Sequence, residues 1–174
     1  PAGKGLLVRW LRLRRANADE FLVQFSLLVD GAKLTLAALR RLLRRWAPLD
    51  VDRQSAASET ALTTLVASAT PPHVSLACAR ELVGAPHRAD VNLANDLSFD
   101  ALQCAAALGK ARLVEFLLAS GADATARGAH PNGFIGAPSP RPGQCERTAR
   151  EWAELYGHAA VVATIDAWGD DAAA

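Results

Sequence analysis

The 174-residue chain is 51% hydrophobic and 21% charged with a net charge of +1, which excludes a disordered or low-complexity polymer and suits one domain able to bury a substantial core. No apolar run reaches the roughly 18 residues of a membrane-spanning helix. The small net charge conceals a division, because residues 1–53 hold eleven Lys and Arg against five acidic residues whereas 54–174 hold eight against thirteen.

The chain starts at Pro1 and contains no methionine, so an upstream segment is expected to have been removed. Residues 5–18, GLLVRWLRLRRANA, place apolar residues and arginines at helical spacing, and residues 1–18 are expected as a basic N-terminal helix or cap. Leu39, Leu42 and Leu43 form the stripe of a further helix, which ends before Asp50-Val51-Asp52. Arg9 and Arg12, with Arg40, Arg41, Arg44 and Arg45, are candidate contacts for an anionic partner; a solvated helix face is the competing account. Trp10 and Trp46 interleave with them, either as stacking platforms for bases or as core and cap residues.

From Thr60-Ala61-Leu62 a small-residue helix is expected, then a hinge at Ala69-Thr70-Pro71-Pro72-His73 and a helix through Cys78 to Val83. Ala89-Asp90-Val91-Asn92 closes that unit. The stretch Asp100–Ala126 repeats these events: Ala101, Leu102, Ala105 and Ala106 form one apolar stripe, and Leu113, Val114, Leu117 and Leu118 form another. Gly109 supplies the turn between them and Gly121 the exit, where a residue without Cβ tolerates a left-handed backbone. Next comes GAHPNGFIGAPSPRPGQCE, residues 128–146, whose prolines and glycines continue neither helix. Thr148-Ala149-Arg150 restarts the pattern, with Gly157-His158 as its turn and Val161, Val162 and Ile165 as its second stripe.

Neither helix of such a unit is long enough to hide its stripe alone, so each hairpin needs neighbours. The units resemble the ankyrin repeat, whose motif runs Thr-Pro-Leu-His, Ala-Ala, Gly-His, Val-Val, Leu-Leu, Gly-Ala-Asp-Val-Asn. The resemblance covers residues 19–169, divided as 19–53, 54–93, 94–127 and 147–169, with 128–146 as an insertion and 170–174 as a tail. It departs from the family where Thr63 and Gln103 stand in place of His, and where successive starts at 60, 100 and 148 lie 40 and 48 residues apart. The resemblance implies an all-α solenoid of about four helical hairpins behind the extra basic helix. It also implies a non-enzymatic protein–protein interaction scaffold that binds through first helices and loop tips. On this chain those positions include Asn95, Asp96, Phe99, Gln103, Ala107 and Arg127.

No catalytic constellation accompanies this pattern. The four histidines (His73, His87, His130, His158) and three cysteines (Cys78, Cys104, Cys145) show no metal-ligand spacing, and no phosphate-binding or nucleophile motif occurs. His158 reads as a turn residue, Cys78 and Cys104 as small core residues. The odd cysteine count points to reduced thiols and an intracellular setting, cytoplasmic or organellar. No cofactor, metal or small-molecule substrate is therefore expected. Within the insertion, Phe134 and Ile135 follow the Asn132-Gly133 turn signal as large apolar residues; they either dock on a partner or fold back on their own repeats. The alternative role is an accessory subunit of a large ribonucleoprotein or membrane assembly, with the arginine face on nucleic acid or another anionic partner.

Overall fold

The computed structural model describes residues 2–129 and 146–172 except residues 32, 48 and 57, and the backbone alone for 2–12, 14, 15 and 170–172. Among these residues are eight helices and one two-stranded antiparallel pairing. The chain divides into two compact units, Pro1–Ala89 and Asp90–Ala174.

The first unit contains α1 (Ala2–Asp30), α2 (Leu36–Arg45), α3 (Ala61–Ala67) and α4 (Pro72–Val83). α1 is continuous through residue 18, where a separate basic cap had been expected to end. Residues 6–30 contain neither glycine nor proline, so nothing in the sequence stops its propagation. Its lower half buries Ala18, Phe21, Leu22, Phe25 and Val29, and the Phe21 and Phe25 rings stack with centroids 5.6 Å apart. α1 packs on α2 and α3, and α4 packs on the same two helices. α2 buries Leu39 and Leu43 of its expected stripe. Of the expected hinge, residues 69–71 do link α3 to α4, whereas Pro72 and His73 already belong to α4: Pro72 opens that helix, at a position where the absent N–H costs nothing and the ring presets a helical φ.

The second unit contains α5 (Ala101–Ala107), α6 (Ala111–Ala119), β1 (Gly128–Ala129), β2 (Glu146–Arg147), α7 (Ala149–Leu155) and α8 (Ala159–Ala172). All seven residues of α5 are buried, with α6 and α7 packed against it. Four of them are alanines, whose size permits close approach. Leu113, Val114, Leu117 and Leu118 form the buried stripe of α6, and α8 lies against both α6 and α7. Arg150 joins α7 to α8 through Asp166 at 2.6 Å. α8 reaches Ala172, so residues 170–172 belong to a helix where a tail was expected. Gly109 takes φ +69°, and a Cβ there would meet the His158 ring, whose Nε2 lies 3.0 Å from the Ala107 carbonyl oxygen. His158 thus ties the second hairpin to the first, beyond its place in a turn.

Candidate functional site

Three helices start in the same way. Thr60, Asp100 and Thr148 sit just before α3, α5 and α7, and each side chain accepts the N–H three residues on, from Thr63, Gln103 and Glu151 at 3.2, 2.8 and 3.3 Å. The side chains of Thr63, Gln103 and Glu151 reach back to the capping residue's own N–H. These reciprocal caps satisfy amides that the first helical turn leaves without partners. They also set where each preceding loop must end.

The loops before the first two caps share a further geometry. The Ser55 N–H donates to the Glu59 carbonyl and the Ser58 N–H to that of Ser55; Asn95, Phe99 and Ser98 repeat both bonds. Ser58 and Ser98 take the left-handed region at φ 58° and 57°. In the second loop the Asn95 Oδ1 also accepts from the Leu97 and Phe99 N–H groups, leaving Asp96, Leu97 and Ser98 exposed at the tip. Leu97 is 45% exposed, an apolar side chain held in water by a tightly bonded turn.

Two further turns, one before the 95–99 loop and one before the insertion, start at an aspartate. Asp90 accepts from the Asn92 N–H, and Asp123 from the Thr125 N–H and hydroxyl. Those bonds lower the Asp123 pKa. Asn92 then clamps two turns together: its Nδ2 donates to the Gly121 carbonyl at 3.0 Å and its Oδ1 accepts from the Asp123 N–H at 2.8 Å.

These elements converge on the root of the insertion. β1 and β2 pair Gly128 with Arg147 and Ala129 with Glu146. The Ala129 N–H donates to the Leu97 carbonyl, the Gln103 Nε2 to Ala126, and the Trp152 indole N–H to Gly128. Gly128 has no room for a side chain, because a Cβ would overlap the Ser98 carbonyl and the Gln103 amide oxygen. Arg127 binds the Glu146 carbonyl at 2.8 Å and pairs with the Glu151 carboxylate at 3.0 Å. Trp152 is buried beneath, edge-on to Phe99, with the Arg147 guanidinium over its ring. The described residues that flank 130–145 are thus fixed against α5 and α7.

The residues expected to contact a partner divide accordingly. Asp96 is exposed at the loop tip and Asn95, half-buried, shapes it. Phe99, Gln103 and Ala107 are 4%, 1% and 1% exposed, which places them in the core and removes them from a contact surface. Gln103 is buried because it completes the α5 cap and braces the insertion root; Phe99 is buried against Trp152. Arg127 is exposed but engaged with Glu146 and Glu151. Phe134 and Ile135 lie outside the described residues, as do the side chains of Arg9 and Arg12.

Arg40, Arg41, Arg44 and Arg45 are exposed on α2. Arg40 pairs with Glu81 at 2.9 Å, Arg44 donates to the Arg40 carbonyl, and Arg45 lies over the Trp46 ring, so that face of Trp46 is already covered. Cys78 and Cys104 are buried, and burial pushes the Cys78 thiol up to about 11. Burial likewise raises the Asp100 carboxyl to about 6. No described helix is long and apolar enough to cross a membrane, and the described residues include no group of three or more His, Cys, Asp or Glu suited to hold a metal ion. Compared with known proteins, the chain matches no protein-family model and no curated sequence.

Proposed function

We propose that the chain is a non-enzymatic binding module of the ankyrin-repeat type that holds a protein partner along the loop edge of its second unit, with residues 130–145 as the main contact. The repeat kinship is supported by the recurring caps at Thr60, Asp100 and Thr148, the matching loops at 55–59 and 95–99, and the left-handed glycines 109 and 157 between paired helices. The observation that carries the binding role is the braced root of the insertion. Arg127, Gly128, Gln103 and Trp152 hold both of its ends, and a loop anchored at its ends loses less freedom on binding. Its sequence places Phe134 and Ile135 within that anchored span.

The test is Phe134→Ala with Ile135→Ala, followed by cross-linking capture from the native source. Loss of the captured partner at an unchanged melting temperature is the expected result. A lowered melting temperature with capture retained overturns the proposal, because the pair would then pack on its own unit.

A second reading, an anionic partner on α2, is favoured by four exposed arginines within a ten-residue helix. Replacing Arg40, Arg41, Arg44 and Arg45 by Gln should then abolish salt-sensitive binding to RNA. RNA binding that survives this replacement, or no RNA binding at low salt, sinks that reading.

A further inference from the structure

The charges of α1 run against the helix that carries them. Residues 2–15 contain Lys4, Arg9, Arg12, Arg14 and Arg15 and no acid, whereas residues 16–30 contain Asp19, Glu20 and Asp30 and no base. The partial positive charge at a helix N-terminus favours acids, and the negative C-terminus favours bases. Helix stability therefore does not account for this arrangement. A second helix laid antiparallel does, since each basic half then meets both the acids and the negative pole of its neighbour.

The same helix keeps apolar surface open. Leu13, Val23 and Leu27 are 50%, 55% and 61% exposed. Positions 6, 13, 20 and 27, three of them leucine, are spaced by seven and share one face of a helix. Val23 and Leu27 line a groove of about 930 Å³ between α1 and the 53–56 segment, with Asp19, Asp30 and Glu59 also among its lining residues. Among its described lining residues the one cation is Arg53, which is bound to Asp19 at 2.8 Å. The groove thus has an apolar floor and an acidic excess, and the basic half of α1 from another copy has the complementary character.

We propose that two copies of the chain associate through an antiparallel α1–α1 pairing, the basic half of each helix lying in the acidic groove of the other. A register centred between residues 16 and 17 sets Leu27 and Val23 level with Leu6 and Trp10 of the second copy. It sets Asp19 level with Arg14 and Asp30 within one residue of Lys4. The contact is isologous, so the two grooves are filled together and the assembly closes at two copies. It uses the first unit alone and is independent of the binding role proposed for the second.

The test is the solution mass of the full 174-residue chain by light scattering. The expected result is twice the 18.4 kDa chain mass, with a dimer fraction that falls as salt rises from about 20 mM to about 500 mM. Val23→Glu with Leu27→Glu should raise the dimer dissociation constant at least tenfold at an unchanged circular dichroism spectrum. Asp30→Arg and Lys4→Glu each suit the helix dipole better than the native residue, yet each should weaken the dimer, and the two together should restore it. A chain that stays monomeric at about 100 μM and low salt overturns the proposal. So does a dimer that survives both glutamates, or a double charge exchange that fails to restore what the single ones lose.

Discussion

Asp100 sets up an unusual pH dependence. Its residue is 4% exposed, it caps α5, and its Oδ1 accepts from the Gln103 N–H at 2.8 Å. Burial is the main cause that lifts its carboxyl to about 6, with the Asp123 charge adding and the amide bonds from Gln103 and Leu102 opposing. In an unfolded chain an aspartate titrates near 3.9. Between about pH 4 and pH 6 the folded state therefore binds more protons than the unfolded one, and this residue's contribution to stability falls as pH rises. A difference of about two units corresponds to roughly 3 kcal/mol once both states are ionised. Asn serves about as well as Asp at a helix start and carries no charge. Relative to the native chain, Asp100→Asn should thus gain stability on going from pH 4 to pH 7, by up to roughly 3 kcal/mol. Urea unfolding at pH 4, 5, 6 and 7, followed by circular dichroism for both proteins, reads the difference directly. Comparing the two chains cancels the opposite slopes of Asp123, Glu151 and Asp166, whose lowered values withdraw stability as pH falls. A flat difference, or one that falls with pH, would show that the amide bonds outweigh burial at this site.

Gly128→Ala should destabilise by about 2 to 4 kcal/mol, since its Cβ would overlap the Ser98 carbonyl, in a turn closed by the Ser98 N–H to Asn95 bond, and the Gln103 amide, held by Ala126; an unchanged melting temperature would mean that the insertion root does not approach α5 this closely. Leu117→Ala removes a fully buried side chain from the α6 stripe and should cost about 2 to 5 kcal/mol in chemical denaturation. A cost below about half a kcal/mol contradicts that burial. Asn92→Ala loses both clamp bonds and should cost roughly 1 to 2 kcal/mol, with faster hydrogen exchange at the Asp123 amide as its local mark. Unchanged exchange there would place the clamp elsewhere.

The helical character and part of the core were legible because they rest on local periodicity, whereas Phe21, Phe25, Leu65 and Trp152 are buried outside the stripes so read. Leu39 and Leu43, Leu113 to Leu118, and the turn glycines 109 and 121 are positions where apolar spacing and backbone freedom speak within a few residues. The exact end of the 69–73 hinge was not legible, because a Pro-Pro pair suits both a linker and the first turn of a helix; Pro71 lies in the linker and Pro72 opens α4. The misplacement of Gln103 had a readable remedy. A polar residue three positions after Thr or Asp, at the start of an apolar run, is the signature of a reciprocal cap, and Thr60–Thr63, Asp100–Gln103 and Thr148–Glu151 all carry it. The Asn92 clamp spans 29 and 31 residues, and the closeness of Gly128 to Ser98 spans 30; no local pattern encodes either.

These long-range contacts fix the described residues on either side of the 130–145 segment. Extending a loop adds closure entropy only slowly with its length, provided that its ends stay fixed. Here the fixing groups are one arginine, one glycine, one buried amide and one indole: Arg127 and Trp152 bond to backbone across the break, Gly128 pairs with Arg147 across it, and Gln103 holds Ala126 on the near side. Two of them, Gln103 and Trp152, lie on α5 and α7, the helices that build the core of the second unit. A substitution at either would both open the core and release the loop. Arg127 differs: it is half-exposed, and its pairing with Glu151 crosses water-accessible surface, where such pairs contribute little to stability. Arg127→Ala should therefore leave the melting temperature nearly unchanged, within about 2 °C, while freeing the Glu146 carbonyl at the end of the insertion. Proteolysis of the native chain reads the second effect, with faster cleavage confined to residues 130–147. Equal cleavage rates in the two proteins would show that the strand pair and Trp152 hold the root without the arginine.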